Sequence, residues 1–183
     1  MKKIIVIRHC SAAGQEASAP LTEVGEVQAQ KLKAHFLQKN FQIYRIVASP
    51  YDRAVNSLRP LAEALLLPIE INEHLKERVL SDKPLDNWLD LLKQSFDDKQ
   101  ICFEGGESSN EAQDRVMSVL DSELDRMESG QTLLMVTHGN LMALLLNHFN
   151  NHFGFDEWRK LSNPDAYLIT ISNNQNTIER IWE

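Results

Sequence analysis

Four residues spread along the chain could together handle a phosphoryl group: Arg8, His9, Arg53 and His138. Two guanidiniums supply planar forks for phosphate or carboxylate oxygens and stay charged at any working pH. Two imidazoles supply a nucleophile and a second charge that switches near neutrality. An imidazole attacking phosphorus yields a phosphohistidine, while the arginines and a protonated second histidine hold the equatorial oxygens of the transition state. Such a site needs no metal. It does need an acid for the leaving oxygen, and the carboxylates near a plausible sheet edge are Glu73, Glu77, Glu104 and Glu107.

Singly, each residue has an ordinary structural explanation. Arg53 suits a solvated helix face, Glu107 a first helical turn where the dipole favours a carboxylate, and Cys10 a small packing position. His35, His74, His148 and His152 follow no strand and read as surface or structural histidines. Placement gives the other residues their weight. The apolar, mostly β-branched run Ile4-Ile5-Val6-Ile7 reads as a buried strand that delivers Arg8-His9-Cys10 to its carboxyl end. A second apolar strand over 132–137 runs into His138-Gly139-Asn140, and a third over 43–49 ends in Ser49-Pro50, just before Arg53. In open α/β sheets the carboxyl edge is where ligands sit.

The elements between them alternate. Thr22 predicts an N-cap for an amphipathic helix reaching about Gln38, with Gly25 allowing close approach to the sheet. Asp52 predicts the cap of a second helix with the stripe Ala54, Leu58, Leu61 and Leu65, kinked or broken at Pro60. Residues 69–71 suit a short strand. Residues 73–106, with one helix through Leu85, Leu89, Leu92 and Phe96, read as an insert over the sheet's edge; the stretch 76–103 is expected to form a lid that carries specificity. Ser108 or Ser109 caps a helix ending at Gly130, and another helix carries Leu141, Leu144 and Leu145. Residues 166–172 and 177–182 predict a closing hairpin around the turn 173–176. The expected fold is a single α/β domain over 1–183: a three-layer α/β/α sandwich with a mainly parallel central sheet and an antiparallel edge element.

Composition sets limits. A chain of 183 residues suits one domain, and a net charge of −7 argues against general nucleic-acid binding. An anionic substrate would have to be caught by a local basic pocket. The two cysteines, Cys10 and Cys102, form neither a disulfide framework nor a metal motif. Zinc, dinucleotide and P-loop fingerprints are lacking, so no cofactor is implied. The basic start followed by apolar residues faintly resembles a signal peptide, but Arg8 and His9 end the run early. With no membrane-length stretch, a cytoplasmic protein is expected.

Taken together and in order, these residues resemble the histidine phosphatase superfamily, the phosphoglycerate mutase-like proteins. The resemblance rests on the opening Arg8-His9, on Leu21-Thr22-Glu23-Val24-Gly25-Glu26-Val27-Gln28-Ala29, and on Ser49-Pro50-Tyr51-Asp52-Arg53-Ala54. It continues through Leu75-Lys76-Glu77, Gly106-Glu107-Ser108 with Arg115, and Val136-Thr137-His138-Gly139. The resemblance implies that His9 is the phosphorylated nucleophile and that Arg8, Arg53 and His138 form the phosphate pocket. It also implies that Glu77 is the proton donor and then the base for water. Gln15 stands near the family's phosphate-contacting asparagine. Ser11 replaces the family's usual acidic or amide residue and is counted with Gln15 among the substrate-binding positions. Asn140, on our own reading, would offer an amide to the substrate. Cys10 replaces the family's glycine and is expected to crowd the pocket or strain the backbone.

Three functions are weighed. The first is a metal-independent phosphomonoesterase acting on a small phosphorylated metabolite. The second is a phosphoglycerate mutase, disfavoured because the family's mutases tend to be longer, with insertions over the site. The third is a non-catalytic phospho-ligand binder, for which Cys10 is the main support. Oligomeric state is not legible.

Overall fold

The computed structural model describes residues 1–173 and 175–182. In chain order the elements are β1 (Lys2–Arg8), α1 (Glu23–Gln38), β2 (Ile43–Ala48), α2 (Asp52–Leu65) and β3 (Ile69–Ile71). A single 3-10 turn, Glu73–Leu75, leads to α3 (Trp88–Asp97), α4 (Ser109–Arg126), β4 (Thr132–Thr137) and α5 (Gly139–Phe149). The chain closes with α6 (Phe155–Arg159), β5 (Asp165–Ile171) and β6 (Thr177–Arg180).

The strands form one sheet in the order β3-β2-β4-β1-β5-β6. The first four are mutually parallel, β5 runs antiparallel to β1, and β6 antiparallel to β5. Side-chain alternation sorts the core into two layers. Ile4 and Val6 meet Leu133 and Met135 beneath α4 and α5. Ile5 and Ile7 meet Ile46, Leu134 and Val136 beneath Leu32 and Phe36 of α1 and Leu58 and Leu61 of α2. Both faces of β1 and β4 are therefore covered, as their near-continuous apolar runs require. The expected three-layer α/β/α sandwich is the observed one.

Local differences have local causes. Helix α2 runs through Pro60 without a break; its inner face of Ala54, Leu58, Leu61 and Ala62 is buried, which outweighs one missing N–H bond. Tyr51, not Asp52, is its N-cap, and Asp52 is the first helical residue. Helix α3 starts at Trp88, so Leu85 precedes it, and α4 stops at Arg126 before the Gly130 turn. Ser108 is its N-cap, in a capping box with Glu111. Helix α6 was not expected: at five residues it is too short to show a period. The predicted turn at 173–176 falls partly on Asn174, outside the described residues. Among the described residues no helix is long and apolar enough to cross a membrane.

Candidate active site

His9 lies one residue past β1. Its backbone N–H donates to Thr137 O at 3.1 Å, and its carbonyl accepts from Asn163 Nδ2 at 2.9 Å. The ring Nδ1 sits 2.7 Å from Cys10 O. A carbonyl only accepts, so Nδ1 carries the proton and Nε2 keeps its lone pair. Arg53 Nε donates to that Nε2 at 3.3 Å. The free nitrogen of His9 is thereby aimed at a guanidinium.

Strand order brings the partners in. Because β4 lies between β1 and β2, with Arg8 opposite Thr137 and Ala48 opposite Val136, the residues that follow each strand converge. The His9 and His138 rings stand edge to face, 5.1 Å between centroids. His138 is fully buried, its Nε2 is 2.8 Å from Ser49 Oγ, and its Nδ1 has no partner. Arg53, almost fully buried, donates from one terminal nitrogen to the carbonyls of Gln15 (3.1 Å) and Glu16 (2.8 Å) and lies 4.7 Å from the Tyr51 ring.

This company makes charging a histidine costly. Burial above all lowers the pKa of His9 to about 4, with Arg53 and Arg8 adding to the effect against the Cys10 carbonyl. Burial, His9 and the arginines push His138 down to about 2. The ligand-free pocket therefore holds two neutral imidazoles. The second histidine's expected switch near neutrality is thereby moved into acid.

Arg8 donates to Leu161 O at 2.9 Å, and its buried Nε is unpartnered. A Cβ on Gly139 would come within 3.0 Å of that Nε, so the glycine after His138 lets the guanidinium lie against the start of α5. Glu77 caps the same helix end. Its carboxylate accepts the N–H groups of Asn140 at 3.1 Å, Leu141 at 3.0 Å and Arg78 at 2.9 Å. The other candidate acids are engaged elsewhere. Glu107 pairs with both Arg115 Nε (3.2 Å) and a terminal nitrogen (2.5 Å), while Arg115 also holds the carbonyls of His74 and Lys76. Glu73 pairs with Lys76 and Glu104 with Lys83, both at the surface. Glu77 alone of the four reaches the cavity beside Arg8.

The segment after Cys10 is tied down by the Leu-Thr-x-x-Gly-x-x-Gln motif. Ser11 N–H donates to Gln28 Oε1 at 2.8 Å, Thr22 N–H donates to Ser11 O at 3.0 Å, and Ala12 bridges to Leu21. A Cβ on Gly25 would fall 2.1 Å from Ser11 O. The close approach is therefore to this loop and not, as expected, to the sheet. Ser11 works through its backbone and does not line the cavity, whereas the exposed Gln15 does. Cys10 also departs from expectation. Its side chain is fully buried in the α1/α2 core with Ile5, Ile7 and Leu58, its N–H donates to Ser57 Oγ at 2.8 Å, and its φ is not positive. It neither crowds the pocket nor strains the chain, and burial pushes its thiol up to about 11.

The cavity has a volume of about 450 Å³ and is lined by Arg8, Gln15, Glu77, Arg78, Leu80, Trp88, Leu92, Gly139, Asn140 and Trp158. Asn140 Oδ1 is buried there without a partner. Arg78, Ser49, Asn163 and the two tryptophans are the residues sequence reasoning missed. Ser49 lay inside a recognised motif, but nothing in the spacing marks Trp158. Among the described residues no three His, Cys, Asp or Glu side chains converge in a way that could hold a metal ion.

The fold is an α/β sandwich that sets paired histidines at the ends of adjacent parallel strands. The chain belongs to the histidine phosphatase superfamily (branch 1), which matches residues 4–183. Probable phosphoglycerate mutases named GpmB, from Salmonella paratyphi A and Salmonella choleraesuis, are each 28% identical over 142 residues, 72% of this chain and 64% of the relative. The match thus spans just under two thirds of those relatives' length. A mycobacterial glucosyl-3-phosphoglycerate phosphatase solved with VO3 superposes with a TM-score of 0.76 at 19% identity, covering 98% of both chains. The alpha-ribazole phosphatase of Shigella flexneri gives 0.73 at 21% identity, covering 97% of this chain and 95% of that one. At these identities the two structures share the fold.

Proposed function

We propose that the protein is a metal-independent phosphomonoesterase working through a phosphohistidine on His9. One observation carries the reading: the Cys10 carbonyl holds the proton on His9 Nδ1, leaving Nε2 as a neutral nucleophile facing Arg53 and His138. A phosphate dianion would lie against Arg8 and Arg53. Its charge would favour protonation of His138, whose unpartnered Nδ1 then donates to a phosphate oxygen while Nε2–H donates to Ser49. His9 Nε2 attacks in line; the P–N bond forms as the P–O bond breaks, and the leaving oxygen takes the proton of Glu77 in its acid form. Glu77, now a carboxylate, takes a proton from water, which attacks phosphorus. The P–N bond electrons return to Nε2. The arginines and His138 supply the positive charge that a metal would otherwise bring.

Residues 73–106 act as a lid, since Glu77, Arg78, Leu80, Trp88 and Leu92 line the cavity from this segment. A small phosphorylated substrate suits its volume of about 450 Å³. The test is phosphate release from p-nitrophenyl phosphate with chelator present. His9→Ala is expected to lose about a thousandfold or more in kcat/KM, and acid-quenched wild type to carry phosphate on His9. Wild-type turnover by His9→Ala, or abolition by chelator, overturns the reading. The relatives named as probable phosphoglycerate mutases favour a second reading, settled by product: interconversion of 2- and 3-phosphoglycerate without net phosphate release. The placement of Cys10 in the core removes the main argument for a non-catalytic binder.

A further inference from the structure

The cavity lining is of two kinds. Arg8, Glu77 and Asn140 are polar, and Arg8 immediately precedes His9, whereas Leu80, Leu92, Trp88 and Trp158 form an apolar wall. Trp88, the first residue of α3, is about half exposed, with 51% of its surface open. It packs edge to face on Trp158 with 6.4 Å between centroids and an interplanar angle of 89°. Trp158 is held from behind by Phe155 at 5.5 Å, which in turn meets the buried Phe96 at 6.3 Å. An aromatic row thus runs from the core to the cavity mouth and ends in an indole half open to solvent. Such a surface beside a site is where a ring would stack.

Arg78 lines this wall and is held in place by three of its five N–H donors, one terminal nitrogen to Ser95 Oγ at 2.8 Å and Nε and the other terminal nitrogen to Glu107 O at 3.3 and 3.2 Å, all neutral acceptors that leave its charge in place.

Building on the phosphatase reading, we propose that Trp88 and Trp158 select phosphomonoesters whose leaving group carries a flat ring. The test compares kcat/KM for 2-naphthyl phosphate and β-glycerophosphate in wild type, Trp88→Ala and Trp158→Leu. It adds binding of the non-hydrolysable 1-naphthylphosphonate, read by tryptophan fluorescence. Trp88→Ala is expected to lower the naphthyl-to-glycero ratio about tenfold, mainly through KM, and to weaken phosphonate binding to match. Leu89→Ala, on the same helix but outside the cavity lining, should leave the ratio unchanged. An unchanged ratio in Trp88→Ala overturns the inference. If wild type hydrolyses nothing yet Trp88→Ala still loses phosphonate binding, the ring site stands and the phosphatase reading falls.

Discussion

His9 should remain uncharged well into the acid range, and this can be measured directly. Its pKa falls from the ordinary 6.5 to about 4, chiefly through burial and further through Arg53 and Arg8. At about 1.36 kcal/mol per pH unit, charging His9 in the folded protein costs roughly 3 kcal/mol more than in the unfolded chain. The unfolded chain takes up this proton near pH 6.5, whereas the folded protein waits until about pH 4. Across that window the unfolded state binds more protons, so stability falls as the pH is lowered and is untouched by this group above 6.5. His138 acts in the same direction and further into acid. The assay is a histidine Cε1–H NMR titration from pH 8 to 4, assigned with His9→Asn, alongside urea unfolding at pH 7.5 and 4.5. Both ligand-free rings should hold their neutral shifts down to pH 5, and His9→Asn should flatten the loss of stability. Saturating inorganic phosphate should raise both midpoints, because a dianion offsets the arginines that lower them. A ligand-free His9 midpoint at or above 6 would refute the reasoning.

Two substitutions probe neighbouring residues. Cys10→Gly removes a buried core side chain and adds backbone freedom, so it should cost about 1–3 kcal/mol in urea unfolding while kcat/KM stays within about twofold. A large activity loss at unchanged stability would put the thiol back in the pocket. Glu77→Gln keeps the shape but not the acid. It should lower kcat about a hundredfold or more for an alkyl phosphate and far less for p-nitrophenyl phosphate, whose leaving group needs no proton. Equal losses on both would remove Glu77 as proton donor.

Much of this site is written in local pattern. The runs before His9 and His138 are apolar enough to be buried strands under any arrangement, so polar residues at their ends had to lie at a sheet edge. Thr22, Gly25 and Gln28 stand at one-turn spacing, and the structure uses all three to hold the Ser11 backbone. Pattern did less well where contacts set the outcome. Pro60 reads as a kink or a break, and the break is ruled out only when the buried face of α2 is counted; α6 is too short to announce itself.

By itself, the order of residues determined the α/β alternation, the strand-end histidines and the guanidiniums that could join them, because those depend on periodicity and on side-chain chemistry. Tertiary structure decided the rest. By residue type four glutamates were eligible, and the resemblance alone singled out Glu77; in the packed chain Arg115, Lys76 and Lys83 engage the other three while α5 presents its N–H groups to Glu77. Cys10 looked like a pocket residue until the packing turned its side chain into the α1/α2 core. Trp88 and Trp158 stand seventy residues apart and meet only because α3 and α6 pack over the same cavity. Each is a long-range choice among chemically similar candidates, and only the packed chain distinguishes them.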